Sequence, residues 1–175
     1  MRGMSVIDDQ TQENVAILTQ VLIDPDTGRI LGFFVQEFPG IAAGSSFLSA
    51  LDIVSIGTKV HIRSADKLSP PDEIVRLQKN LQDHRSFLGQ RIRIRSFGRT
   101  IGTCSDIQFD TGRFVVEWMF PTRFFFFSIR PIAASEIVEV TEEAIWIRDP
   151  LRLQKEKVSE VLKEIPRVIA DVTPA

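Results

Sequence analysis

Tyrosine is absent from this chain of 175 residues, cysteine occurs once (Cys104) and histidine twice (His61, His84). A lone thiol excludes an intrachain disulfide and fits a reducing compartment. Two His and one Cys supply no zinc set from one chain. Charge of one sign is also missing. With 21 basic and 23 acidic side chains the net charge is −2, so the total predicts neither a nucleic-acid nor a membrane partner. Long apolar runs are lacking too. The most apolar stretch, Phe114 to Ile132, is broken by Glu117, Pro121, Arg123 and Arg130. It falls short of the roughly 20 mostly apolar residues that a bilayer span needs. Asp8 and Asp9 arrive too early after Met1 for a signal peptide. The expectation is a cytoplasmic protein with no integral membrane segment.

What is present is an internal repeat. Asp26-Thr27-Gly28-Arg29 returns as Asp110-Thr111-Gly112-Arg113, and Ile53-Val54 returns as Ile137-Val138. Both are offset by 84 residues, whereas Ile62-Arg63 returns as Ile147-Arg148 at 85. Arg76-Leu77-Gln78-Lys79 is echoed by Arg152-Leu153-Gln154-Lys155. So long a period means two copies of a small domain rather than a solenoid. The units are 5–68 and 85–150, joined by a linker helix at 69–84 and followed by a C-terminal helix at 151–166 and a tail at 167–175. Domains this small are marginal alone, so the two are expected to lean on each other. The first 68 residues hold five basic and eight acidic side chains, and 85–150 hold nine basic, all Arg, and eight acidic.

Strand signals dominate. Ala16 to Ile23 runs into Asp24-Pro25-Asp26-Thr27-Gly28, which is turn chemistry, and Ile30 to Phe38 returns as a hairpin. Asp26 and Gly28, and Asp110 and Gly112 in the copy, are the turn-forming residues. Gly40 to Ser46 reads as a loop, and Ile53-Val54 and Val60 to Arg63 as closing strands. In the second unit Arg91 to Arg95 alternates strictly, with Ile92 and Ile94 on one face. Ile101 to Phe109, Arg113 to Phe120, Phe124 to Ile129, Ile137 to Val140 and Ala144 to Ile147 follow as strands. This spacing predicts a mainly β fold of small, strongly bent sheets or barrels. Ser69-Pro70-Pro71-Asp72 signals a helix start, with Ile74, Leu77 and Leu81 on one face. Asp149-Pro150 opens a second helix with Leu151, Val158, Val161, Leu162 and Ile165 as an amphipathic stripe.

Three segments carry a family resemblance. They are Ile23 to Gly32; Phe87-Leu88-Gly89-Gln90-Arg91-Ile92 with Gly98-Arg99-Thr100-Ile101-Gly102; and Ile132-Ala133-Ala134-Ser135-Glu136-Ile137-Val138. Together with both Asp-Thr-Gly-Arg turns they resemble the PRC-barrel family, named for the photosynthetic reaction centre. The match rests on turns and apolar spacing over most of 5–68 and 85–150. The first unit departs from it at Asp8 to Glu13, which has no Gly where the second has Gly98. The resemblance implies two tandem small β-barrels used as assembly and interaction modules. Relatives include the reaction-centre H-subunit cytoplasmic domain, the C-terminal domain of a ribosome maturation factor and archaeal cell-division adaptors. It implies no catalytic residue and no cofactor.

Candidate chemistry is sparse. Asp24, Asp26 and Gly28 look briefly like a calcium loop, but Gly28 and Val35 stand at the fifth and twelfth positions, where ligands are required. Gly40 to Ser46 lacks the Lys of a phosphate loop. His61 reads as an exposed strand residue, His84 as a helix C-terminal residue, and Cys104, with no flanking base, as packing. Arg91, Arg93 and Arg95 share one strand face, with Arg85 and Arg99 near in sequence. They suit pairing with neighbouring carboxylates or with an anionic partner. No aromatic interleaves them in sequence, which argues against a stacking platform for single-stranded nucleic acid. Phe124, Phe125, Phe126 and Phe127, if a strand, send alternate rings outside the barrel core. There they need cover from a helix or subunit, or form a partner-binding patch.

The leading expectation is a non-enzymatic scaffold binding another protein, with homo-oligomerisation as a variant of it. The alternative is an RNA- or ribosome-associated factor using the Arg strand. Peripheral binding to an anionic membrane through the last helix is weak, since five basic and four acidic residues follow position 150. No metal site and no nucleophile–base set is expected.

Overall fold

The computed structural model describes residues 1–38, 45–122 and 130–149. The expected Phe124–Phe127 strand, the 151–166 helix and the 167–175 tail lie outside the described residues. What is described is mainly β, in two sheets. The first holds β1 (Ser5–Asp8), β2 (Asn14–Ile23), β3 (Ile30–Glu37), β4 (Ser45–Ser49), β5 (Ile53–Ile56), β6 (Val60–Ile62) and β7 (Leu68–Ser69), in the order β5-β6-β1-β2-β3-β4-β7. The second holds β8 (Arg91–Ile94), β9 (Thr100–Asp110), β10 (Val115–Thr122), β11 (Ile132–Ala133), β12 (Ile137–Val140) and β13 (Ala144–Ile147), in the order β11-β10-β9-β8-β13-β12.

Strand for strand, β8 to β13 repeat β1 to β6. Each sheet has one parallel pair, β1 with β6 and β8 with β13. Each has a 3-10 turn before its fifth strand, Ala50–Asp52 and Ala134–Glu136. Register fixes the equivalences. Val6 faces Val60 as Ile92 faces Ile145, and Phe33 faces Leu48 as Met119 faces Ile132. The offset is therefore 86 through the first three strands, 84 at the fourth and 85 at the sixth. All six of these residues outside β4 and β11 are core, as are Leu48 and Ile132.

At an offset of 86 the two Asp-Thr-Gly-Arg motifs are not equivalent. In the first turn the Asp24 carboxylate accepts the Asp26 N–H at 3.1 Å, and the Gly28 N–H donates to the Asp24 carbonyl at 2.8 Å. In the second, Asp110 accepts the Gly112 N–H at 2.7 Å, and the Phe114 N–H donates to the Asp110 carbonyl at 2.8 Å. Asp24 thus matches Asp110, and Gly28 (φ 69°) matches Phe114 (φ 53°). Gly112 is not the left-handed residue of its turn, and the Asp26 carboxylate is released for another partner. Phe114 tolerates positive φ because its ring is anchored against the first core and on Phe109, 6.3 Å away.

These two turns join the units. Ile30 N–H donates to the Phe114 carbonyl at 2.7 Å, Val116 N–H donates to the Gly28 carbonyl at 3.0 Å, and Arg29 bridges Val115. Exchanging each residue for its counterpart 86 positions away turns one bond into the other. The junction is a pseudo-twofold clasp. Side chains follow the same symmetry. Ile23 packs against both cores, and its counterpart Phe109 packs against the first, with its ring 6.3 Å from Phe33. Each small unit borrows apolar cover from the other, as their size requires.

The expected linker helix over 69–84 is instead three short turns: Pro71–Glu73, Val75–Leu77 and the single α-helical turn α1 (Gln78–Leu81). Ser69 pairs with Phe47 in the sheet, so it is not available as a cap, and Pro70 stands at the cap position without a side-chain bond. Ile74 then takes a non-helical conformation between the first two turns. A helix broken this early cannot recover its nucleation cost. Leu77 is buried, while Val75 is exposed.

Candidate interaction face

The residues of β8 alternate. Ile92 is buried in the second core, and Arg91 and Arg93 point the other way. The parallel strand β13 sets Ala144 beside Arg91 and Trp146 beside Arg93. The Arg93 guanidinium lies 5.7 Å from the centre of the Trp146 ring, and its Nε donates to Thr100 Oγ1 at 3.3 Å. Trp146 Nε1 donates to Thr141 Oγ1 at 3.3 Å. Arg95 reaches across β13 to Glu139 on β12, with Nη1 2.6 Å from Oε1. The β8–β9 turn then presents Phe97, 74% exposed, followed by Gly98 (φ 62°) and exposed Arg99. Arg91 and Arg99 make no side-chain hydrogen bond or ion pair among the described residues.

The outer face therefore gathers Arg91, Arg93, Arg95, Trp146, Glu139 and the Phe97 tip. Trp146 is the residue that sequence reading missed. It does place an aromatic among the arginines, from a neighbouring strand. Alternation through Ala144-Ile145-Trp146-Ile147 gave its face. Only the parallel pairing of β13 with β8 gave its neighbour.

Arg85 is not on this face. Its Nε and Nη2 donate to Asp83 at 3.0 and 2.7 Å, and Nη1 and Nη2 donate to Asp26 at 2.6 and 3.1 Å. Nη1 also approaches the Val140 carbonyl at 3.4 Å. One guanidinium thus ties the first unit's turn, the linker and the second unit together. Its hydrogen bonds hold the carboxyls of Asp26 and Asp83 below the usual range, and the two carboxylates raise Arg85 in turn. A cleft of about 740 Å³ beside this tie is lined by Asp26, Arg85, Glu139 and Glu142 among others. Its Asp26–Arg85 pair is already satisfied internally.

The remaining candidates are structural. Cys104 is fully buried, and burial pushes its thiol up to about 12, far from a nucleophile's range. His61 Nδ1 pairs with Asp9 at 2.8 Å on the outer face of the first sheet. Asp8 is 3% exposed. Its carboxylate accepts the N–H of Ala65 at 2.7 Å and of Gln10 at 2.7 Å, which fastens the end of β1 to the segment after β6. Among the described residues no three His, Cys, Asp or Glu side chains form a metal-ligating group. No helix among them is long and apolar enough to cross a membrane.

The first unit uses the same backbone positions differently. Ser5, Ile7, Asp9, Thr11, Glu13 and His61 stand where the second has Arg91, Arg93, Arg95, Phe97, Arg99 and Trp146. No protein-family model matches the chain, and no curated protein matches it.

Proposed function

We propose that this chain is a non-enzymatic scaffold that binds another protein, built of two PRC-type β-barrel units. One observation carries the reading: the two units keep the same strand order while their outer faces diverge completely in charge. Nearly all the core positions that build the fold are apolar in both copies, with Asp8 against Ile94 the exception. The outer positions form an Arg- and aromatic-bearing face in one copy; in the other they carry Asp9, Glu13 and His61 around a buried Ile7. Aromatic and Arg anchors are what protein interfaces select, and Lys, which they disfavour, is missing from 85–150. The Phe124–Phe127 run, which lies outside the described residues, offers in sequence the apolar side chains that the centre of such an interface needs.

The test is capture from a lysate of the source cells by the full-length chain, with and without nuclease. A defined protein set that survives nuclease and is lost from folded Phe125→Asp or Phe126→Asp supports the reading. A set of ribosomal proteins that vanishes with nuclease overturns it for the second reading, an RNA-associated factor. That second reading would draw on Arg91, Arg93 and Arg95, whose guanidinium groups suit phosphate contact.

A further inference from the structure

We infer that the outer face of the second sheet docks a short, extended, acidic segment of a partner protein, with carboxylates on Arg91 and Arg93 and an apolar side chain against Phe97. This rests on the protein-binding reading and names the chemistry of the partner. Three observations lead to it. Arg91, on this face, and Arg99, in the β8–β9 turn beside it, are exposed cations with no partner among the described residues. Arg93 spends only its Nε on a hydrogen bond, leaving both terminal nitrogens unused among the described residues. Arg95 already carries a carboxylate, Glu139, at 2.6 Å on the same face. The chain itself displays the ligand chemistry this surface accepts.

Spacing narrows the form of the ligand. Arg91 and Arg93 are alternate residues of one strand, so their side chains emerge about 6.6–6.8 Å apart. Alternate residues of an extended peptide have the same spacing, so carboxylates at i and i+2 meet successive guanidinium groups, each able to bind a carboxylate in a fork. β8 lies inside its sheet, between β9 and β13. The segment therefore crosses the face by side-chain contact and does not extend the sheet.

A nucleic acid is the poorer occupant. The Arg93 guanidinium covers Trp146, and the indole N–H is bonded to Thr141, so the ring is not free to receive a base. Asp9 and Glu13, at the positions of Arg95 and Arg99, would also repel a polyanion continuing over the first unit. A second copy of this chain, offering that same acidic turn, is an outcome the test separates.

The experiment uses the full-length protein and fluorescence anisotropy with a labelled peptide of alternating Glu and Thr ending in Leu. The same peptide with Gln for Glu and an oligouridylate of equal length are the controls. The Glu peptide is expected to bind saturably at low salt, at least tenfold tighter than the Gln peptide, and to weaken as salt screens the exposed charges. Arg91→Glu/Arg99→Glu is expected to lose at least tenfold with an unchanged circular-dichroism spectrum, while Glu13→Gln, on the first unit, binds as the parent does. Equal binding of the Gln peptide, unchanged binding by the folded double variant, or tighter binding of oligouridylate overturns the inference. Loss of peptide binding on Glu13→Gln, with concentration-dependent mass in sedimentation, overturns it in favour of self-association. Lysate capture by the double variant separates the two levels: capture retained without peptide binding sinks only this assignment, whereas no capture by the parent sinks the scaffold reading beneath it.

Discussion

Where the first unit has Gly32 the second has Trp118, and the neighbouring strand compensates in each. Phe47, fully buried, folds its ring over Gly32, while at the position of Phe47 the second unit has the exposed Pro131, leaving Trp118 40% exposed. A Cβ on Gly32 would fall on the Leu48 carbonyl oxygen and the edge of the Phe47 ring. The same strand pair therefore carries its bulk on opposite strands in the two copies. One lesson is that a duplicated sheet keeps its strand pairing while the bulk on one face moves from one strand to its neighbour. A second is that cover diverges: the first unit seals this outer region, the second leaves an aromatic in solvent.

The most disruptive way to break that comparison is Gly32→Val. Overpacking against backbone costs about 3 kcal/mol, because the Leu48 carbonyl cannot rotate away as a side-chain tip would. Trp118→Val at the equivalent position is expected to cost about 1 kcal/mol, the scale of an ordinary half-exposed site. Urea unfolding of the two variants checks the difference. Alkylation of Cys104 gives a reading from the second unit alone, since the buried, largely protonated thiol reacts only when that core opens. If the units unfold together, as Ile23 packed in both cores requires, Gly32→Val accelerates Cys104 labelling. Unchanged labelling in a destabilised variant would mean that the clasp does not couple the cores.

Much of this fold was legible because alternation and turn chemistry are local. The strands at 14–23, 30–37, 53–56, 60–62, 91–94, 100–110, 115–122, 137–140 and 144–147 emerge from apolar periodicity and Asp/Gly punctuation within a residue or two. The short strands β4, β7 and β11 were not read as such, since pairing rather than pattern creates them. The Asp-Thr-Gly-Arg motif shows the limit of a sequence repeat. Its copies match letter for letter, yet hydrogen bonding aligns Asp24, not Asp26, with Asp110. No residue is gained or lost around these turns; the second unit is two residues shorter between its third and fourth strands, where the offset falls from 86 to 84. The linker misled for the opposite reason. Ser69 and Pro70 are good helix-start residues, but Ser69 was claimed by β4, a non-local partner. On the candidate face, the Arg ladder followed from period-2 spacing, whereas Trp146 and Glu139 joined it only through sheet order.

A gentler comparison is made by acid. Asp8 has Ile94 as its counterpart, so only the first unit fastens its opening strand with a buried carboxylate. The Ala65 N–H, followed by those of Gln10 and Thr11, holds the Asp8 carboxyl below the ordinary 3.8, outweighing the opposing effect of burial. A folded value below the unfolded one means that the stabilisation is fully present above the unfolded value. It is lost as pH falls from about there through the folded value. Denaturant midpoints measured from pH 6 down to pH 3 are expected to fall in the parent and to fall less steeply in Asp8→Asn, which is already weaker at pH 6. Asp110→Asn, which removes a carboxylate paired with the exposed Arg113, is the second-unit control and is expected to change the profile less. Equal slopes in the parent and Asp8→Asn would sink the assignment of the acid sensitivity to this fastening.

The smallest effect lies one turn away and tests the duplication most closely. Asp8 N–H donates to the Glu13 carbonyl at 3.1 Å as Ile94 donates to Arg99 at 3.0 Å, and Gln12 donates to Asp8 at 2.8 Å as Gly98 donates to Ile94 at 2.9 Å. Gln12 sits at φ 61° and Gly98 at 62°. The absent glycine at Asp8 to Glu13 therefore did not change the turn; it left a side chain in the left-handed region, which costs roughly 1 kcal/mol or more for a residue with a Cβ. Asp8 offsets that strain through the Gln10 N–H, and the Gln12 amide adds a bond to the Asp9 carbonyl at 2.9 Å. Gln12→Gly is expected to stabilise by up to about 1 kcal/mol, reduced by the lost amide bond and by the greater freedom of glycine in the unfolded chain. Gly98→Gln is expected to destabilise by about 1 kcal/mol or more, because Ile94 and Ser96 offer its turn no carboxylate. Opposite signs for these reciprocal changes, read as shifts in urea midpoint at constant slope, would establish that the turns are one structure carrying two solutions. Destabilisation by both would mean that the Gln12 side chain, and not its backbone conformation, decides the first turn.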